Sequence, residues 1–201
     1  MAKEGFYFVV PVALVSLAFF LGGFLRVSAP LAVLALALAF FFRDPERKPP
    51  KEGGILLSPA DGKVMAVEKV GEGWRVSVFM SPLDVHVNRA PCSGRVESIQ
   101  HLGGGHLPAY RKASEKNERV EMEVSSGHLT FKVVLIAGIL ARRIKTYVKE
   151  GQEVKAGQRI GIILLGSRAD LYFPLEFSPS VKEGEKVKAG VSIVARRENE
   201  N

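Results

Sequence analysis

Cysteine is almost absent: Cys92 is the single one in 201 residues, so no intramolecular disulfide can form. The chain needs no oxidising compartment and advertises no thiol nucleophile, and Cys92 is expected as a small buried hydrophobe. Charge is nearly missing from residues 6–42, where Arg26 stands alone. Long helical periodicity is missing beyond Pro50, which argues against a helical bundle. Basic residues outnumber acidic ones, 28 to 21, for a net charge of +7. They form no long stripe, and no aromatics are interleaved to stack on bases, which disfavours a nucleic-acid partner. Beside an apolar N-terminus, that balance fits an anionic membrane face instead.

What is present at the N-terminus reads as a membrane segment over 1–42. Residues 6–25 supply 20 positions without charge, enough for a bilayer core of ~30 Å. Residues 31–42 supply only 12, short for a straight span. The stretch Arg26-Val27-Ser28-Ala29-Pro30 between them reads as a tight connection, giving a thin hairpin or one span followed by an interfacial segment. A cleaved signal peptide would need a small-residue site after one short apolar region, and a second apolar block follows here. Arg43, Arg47, Lys48 and Lys51 outnumber Asp44, Glu46 and Glu52 beyond it. The positive-inside tendency then puts residues 43–201 on the cytoplasmic side of the cell membrane, and a hairpin returns Lys3 to the same side.

Residues 43–201 read as one mainly β domain. Short apolar runs at Ile55–Leu57, 64–67, 74–79, 120–124, Leu129–Ile136, 159–165 and 191–194 are broken by glycine, and several alternate polar and apolar. One short helix is expected near 109–118. A near-repeat lies inside this domain. Val148-Lys149-Glu150-Gly151-Gln152-Glu153-Val154-Lys155-Ala156-Gly157 matches Val181-Lys182-Glu183-Gly184-Glu185-Lys186-Val187-Lys188-Ala189-Gly190 except at two positions. A fainter pair is Asp61-Gly62-Lys63-Val64 and Ser93-Gly94-Arg95-Val96. Such pairs resemble the interlocking halves of biotinyl/lipoyl-like barrel-sandwich hybrids.

Three segments could carry chemistry. Ser58-Pro59-Ala60-Asp61-Gly62-Lys63-Val64 reads first as an Asp-Gly turn. In Asp84-Val85-His86-Val87-Asn88-Arg89-Ala90-Pro91, an extended chain would put Asp84, His86 and Asn88 on one face. Ile162-Ile163-Leu164-Leu165-Gly166-Ser167-Arg168 carries an apolar strand into Gly-Ser. There a serine hydroxyl can attack the preceding carbonyl and turn the amide into an ester. A base then removes the serine α-proton, the ester leaves, and the dehydroalanine hydrolyses to a pyruvoyl group and ammonia.

Those segments occur in order with Phe41-Phe42-Arg43-Asp44-Pro45-Glu46-Arg47 before them and Asn117-Glu118-Arg119-Val120 before Leu165-Gly166-Ser167. Together, over about 41–175, they resemble phosphatidylserine decarboxylase, in particular its short bacterial and archaeal form. The resemblance implies a proenzyme cut between Gly166 and Ser167 into chains 1–166 and 167–201, which stay together as a heterodimer; further oligomerisation is left open. It implies a covalent pyruvoyl cofactor made from Ser167, which forms a Schiff base with phosphatidylserine and releases carbon dioxide to leave phosphatidylethanolamine. It also implies Asp61 and His86 as partners of Ser167. Longer family members carry a second histidine where this chain has Arg89. Arginine cannot act as a base near neutral pH, so either His86 covers both roles or Arg89 stabilises an oxyanion or contacts substrate.

No metal is expected: His101 and His106 flank a Gly-Gly-Gly run that fixes no ligand geometry. Asn117, Glu118 and Arg119 fit a structural or a substrate-positioning role. The lipid tails, fatty acyl or archaeal isoprenoid (an archaetidylserine substrate), are left open. A membrane-anchored lipoyl-like adaptor or carrier is the other class, but neither Lys155 nor Lys188 has a carrier's flanking pattern. A serine hydrolase would need a Gly-x-Ser-x-Gly elbow, which Ser167 lacks.

Overall fold

The computed structural model describes residues 1–105, 107–109, 116–138, 144–164 and 167–198. The chain forms two units, 1–46 and 47–201. The helix expected near 109–118 lies mostly outside the described residues.

The first unit is a helical hairpin of α1 (Lys3–Leu21) and α2 (Leu25–Phe41). Its reversal is not at 26–30. Two consecutive glycines make it instead, with Gly23 at φ +81°, a conformation glycine adopts without steric cost. Arg26 and Pro30 lie inside α2, where Pro30 forfeits one ladder bond and does not end the helix. Ser16 Oγ donates to the Ser28 carbonyl at 2.8 Å, and Ala2 N donates to the Phe42 carbonyl at 2.8 Å, returning the N-terminus to the end of α2. The apolar side chains face outward around both helices, Tyr7, Leu14, Leu21, Val33 and Leu36 among them. Helix α1 is long and apolar enough to cross a membrane by length and composition; α2 is shorter, at 17 residues.

The second unit is mainly β. Its strands are β1 (Ile55–Leu57), β2 (Gly62–Val70), β3 (Gly73–Met80), β4 (Val87–Arg89), β5 (Gly94–Leu102), β6 (Arg119–Ser126) and β7 (Leu129–Ile136). They continue with β8 (Ile144–Thr146), β9 (Glu153–Val154), β10 (Arg159–Ile163), β11 (Ser167–Pro174), β12 (Phe177–Pro179), β13 (Lys186–Val187) and β14 (Ile193–Arg197). An eight-stranded sheet runs β13-β2-β3-β11-β7-β6-β5-β9, and two three-stranded sheets run β1-β14-β12 and β4-β10-β8. Alternation turns Val76, Val78 and Met80 of β3, Ala169 and Leu171 of β11, and Phe131, Val133 and Leu135 of β7 into one core. Cys92 joins that core, and burial pushes its thiol up to about 12, so it stays protonated and inert.

The near-repeat has a structural counterpart. Each copy is a glycine turn, a two-residue strand and a second glycine turn, and each lies along one member of the fainter pair. Strand β9 pairs with Gly94 and Arg95, and β13 pairs with Gly62 and Lys63. Gly157 N donates to the Ala90 carbonyl and Gly190 N to the Ser58 carbonyl, both at 2.9 Å. Leu57 N donates to Pro91 O and Arg89 N to Pro59 O, again at 2.9 Å each. The correspondence therefore extends back to Ser58-Pro59-Ala60 against Ala90-Pro91-Cys92. The two second-turn glycines meet: a Cβ on Gly190 would lie 3.0 Å from Gly157 Cα, and both have positive φ, +75° and +68°. Only glycine suits a position with both constraints.

Candidate functional site

Ser167 begins β11, and Ile163 ends β10, so residues 164–166 carry the chain from a small sheet into the middle of the large one. Gly166 and Leu165 lie outside the described residues. Strand β11 is hydrogen-bonded on both flanks, with Ser167 opposite Met80 of β3 and Arg168 opposite Ile136 of β7. Ser167 is fully buried. Its Oγ has a weak contact with Met80 Sδ at 4.0 Å, and among the described residues no stronger acceptor ties the hydroxyl down.

The segment 84–89 supplies the facing groups, though not as one extended polar face. The Asp84 carboxylate folds back to accept from Ser81 N at 2.8 Å and Ser81 Oγ at 2.7 Å, closing the turn after β3. His86 is buried, and its carbonyl accepts from Ile163 N at 3.3 Å, which seats it against the segment leading to Ser167. His86 Nδ1 lies 2.9 Å from the Asp84 carbonyl, so Nδ1 carries the proton and Nε2 is the basic nitrogen. Asn88, also buried, donates from Nδ2 to the Pro59 carbonyl at 3.3 Å and reaches the same Met80 sulfur at 3.7 Å. Ser167, Met80 and Asn88 thus form one cluster at the junction of two sheets, and His86 is tied through its backbone to Ile163, four residues before Ser167.

Asp61 and Arg89 belong to a neighbouring cluster. Asp61 precedes β2, whose Gly62 packs on the Phe79 carbonyl, so Asp61 flanks the same end of β3 as Ser167 from the other side. Two strand spacings, about 10 Å, separate those backbones. The Asp61 carboxylate takes a bidentate ion pair from Arg47, with Nη2 to Oδ2 at 2.7 Å, and also accepts from Ala189 N at 2.8 Å. Arg47 donates in addition to the Ala189 carbonyl at 2.8 Å. Ser93, the counterpart of Asp61 in the other half, accepts from Ala156 N at 2.9 Å through a hydroxyl. Capping that turn therefore needs no charge, and the carboxylate is what Asp61 adds. Arg47→Ala strands this carboxylate and should lower stability by about 3 kcal/mol, read as a fall in melting temperature. Arg89 donates to the Gly157 carbonyl at 3.0 Å and packs its Cδ on Gly190, which puts it between the second-turn glycines of both repeats.

Sequence reasoning missed three groups. Met80 carries no signal, since it reads as one more core position. Arg47 is far from Asp61 and Ala189 along the chain. Arg168 and Asp170, on the β11 face away from Ser167, form a buried bidentate pair with both contacts at 2.6 Å, and Arg168 also reaches Ser77 Oγ at 3.2 Å. Burial pushes the Asp170 carboxyl above the usual carboxylate range, against the pull of Arg168. Two opposite charges one strand period apart are the signal that could have found them. Asn117 proves structural: its Oδ1 accepts from Leu107 N, and Nδ2 donates to the Leu107 and Ala137 carbonyls, which uses its capacity. His101 is exposed on β5, and His106 lies outside the described residues.

A cavity of about 450 Å³ lined by Cys92, His128, Phe131, Phe177 and Arg197 lies at the Leu129 end of β7. Ser167 is at the Ile136 end, roughly 24 Å of strand away, so that cavity takes no part in this site.

The sequence model of a family described as phosphatidylserine decarboxylase matches residues 34–195. A phosphatidylserine decarboxylase proenzyme of Streptomyces avermitilis is 46% identical over 171 residues, covering 85% of this chain and 79% of the relative. One from Thermobifida fusca is 47% identical over 172 residues, covering 84% and 77%. A protein of Methanosarcina barkeri, provisionally named an archaetidylserine decarboxylase proenzyme, is 44% identical over 169 residues, covering 82% and 81%. The chain belongs to the phosphatidylserine decarboxylase family.

Proposed function

We propose that this chain is a decarboxylase proenzyme that cuts itself between Gly166 and Ser167, turns Ser167 into a pyruvoyl group, and acts on the serine headgroup of a membrane lipid. The observation that carries the reading is the position of Ser167: buried, with its hydroxyl against the Met80 thioether, at a sheet-to-sheet junction four residues beyond Ile163, which His86 holds through its backbone. Its Oγ attacks the Gly166 carbonyl, and the Ser167 nitrogen leaves as an amine. His86 Nε2 is the base for the Ser167 α-proton, and loss of that proton breaks the Cβ–Oγ bond and releases Gly166 as a carboxylate. Arg89 acts on the repeat glycines and stabilises the site's frame. Asp61, held by Arg47, supplies the negative charge beside β3.

The buried residues around Ser167 fit the work of a pyruvoyl group, because among the described residues Asn88 keeps a buried amide oxygen without a partner, an acceptor for the amine that must reach the ketone. When formed, that group supplies a ketone that accepts the electrons released as carbon dioxide leaves. The protein's own work is to exclude water, keep residue 167 on a rigid strand and deliver a proton from the His86 side.

Residues 1–42 act as the membrane anchor and 43–201 as the catalytic domain on the cytoplasmic side. The outward apolar faces of α1 and α2 and the basic residues after Phe42 support this. The paired halves support a barrel-sandwich-like arrangement of that domain. Chains 1–166 and 167–201 remain one heterodimer. Relatives named for phosphatidylserine and for archaetidylserine are about equally similar, so the substrate is assigned only as far as the headgroup they share. Mass spectrometry of active protein should find a fragment starting at residue 167 with a pyruvoyl-mass N-terminus that labels with a carbonyl reagent. An active but uncut chain of 201 residues, or one without a ketone as in an adaptor, overturns the reading.

A further inference from the structure

Among the described residues, Asn88 Oδ1 is buried and accepts no hydrogen bond, in a side chain with no solvent exposure. Folded proteins rarely leave such an atom unmatched, and an orphan of this kind calls for a functional account. The carboxamide cannot be turned to hide it. Its Nδ2 faces the Pro59 carbonyl at 3.3 Å, and a flip would set two oxygens against each other. Nor does the fold need this donor, because the Pro59 carbonyl already accepts from Arg89 N at 2.9 Å. The location is equally specific. Asn88 and Ser167 touch the same sulfur of Met80, at 3.7 and 4.0 Å.

We propose that Asn88 is a substrate-binding residue whose Oδ1 accepts an N–H of the substrate amine and holds it over residue 167. This rests on the pyruvoyl reading, since an amine has to reach the ketone made from Ser167. A neutral acceptor suits such a position, because a carboxylate there would be a second buried charge with no cation to match it before substrate arrives. The assignment also separates duties within the segment, with His86 moving protons and Asn88 orienting nitrogen.

The test is Asn88→Leu, close in shape but without the acceptor, with Asn88→Ala as the variant that cannot overfill the site. Both are expected to cut into two chains, to label with a carbonyl reagent as wild type does, and to melt within a few degrees of it. KM for phosphatidylserine in mixed detergent micelles should rise at least tenfold, the scale of a charge-assisted hydrogen bond, with a smaller change in kcat. An unchanged KM overturns the assignment. So does a loss of melting temperature or of cleavage in both variants, which would make Asn88 structural. Failure of the underlying reading would look different: wild type itself would carry no ketone.

Discussion

Ser167→Ala should run as one uncut band on a denaturing gel, bind no carbonyl reagent and release no carbon dioxide from phosphatidylserine. Alanine has no oxygen to attack the Gly166 carbonyl, so no ester forms and nothing can be eliminated. What the variant gives up in the fold is small, because the hydroxyl's contact is a 4.0 Å approach to a thioether. Melting temperature should therefore stay close to wild type while activity is lost completely. That combination separates a consumed residue from a merely buried one. A cut Ser167→Ala chain, or an uncut one that still decarboxylates, contradicts the proposal.

Asp170→Ala should be the most destabilising single change in the β-rich unit that touches no atom of Ser167. Arg168 is almost fully buried and both of its bonds to Asp170 are 2.6 Å long. Removing the carboxylate takes two short charge-assisted bonds from a buried guanidinium, at a cost of about 3–5 kcal/mol. For a unit of this size that is a fall of roughly 10 °C or more in melting temperature. Replacing both partners, Arg168→Met with Asp170→Leu, should recover most of the loss, because matched apolar groups leave no orphan charge. Thermal melts of the single and double variants decide it: equal losses would mean that the pair does not act as a unit. Self-cleavage should slow in the single variant, since Arg168 adjoins the reacting residue.

Much of the fold was legible where apolar residues run together. Ile55–Leu57 and Leu129–Ile136 read as strands and are β1 and β7. The near-repeat read as paired turns, and both copies are turns, because glycine spacing is a local property. Strand β11 did not read as a strand. It is buried on both faces and carries Arg168 and Asp170, so it shows neither clean alternation nor a continuous apolar run. Strand β5 went unread because Glu97, Ser98, Gln100 and His101 dilute its apolar face. The hairpin turn was misplaced since Pro30 outweighed Gly22-Gly23, although a proline inside a helix can cost one ladder bond without ending it. In the site, Ser167 and His86 were marked by type and order. The contact of Ser167 with Met80 and the hold of Arg47 on Ala189 are products of long-range pairing that no short window of sequence contains.

Strand β11 lies in the interior of the eight-stranded sheet, between β3 and β7. The cut proposed before Ser167 would therefore hand the smaller chain a central strand of the larger one's sheet. The two pieces cannot part without opening the core, so maturation changes the order of the folding reaction rather than its product. The proenzyme folds alone, at a rate independent of how dilute it is. The mature enzyme, once unfolded, would have to find its other piece, and the shorter the supply of either, the slower the return. Folding must precede cutting, and the protein then has in effect a single unimolecular opportunity to reach its structure.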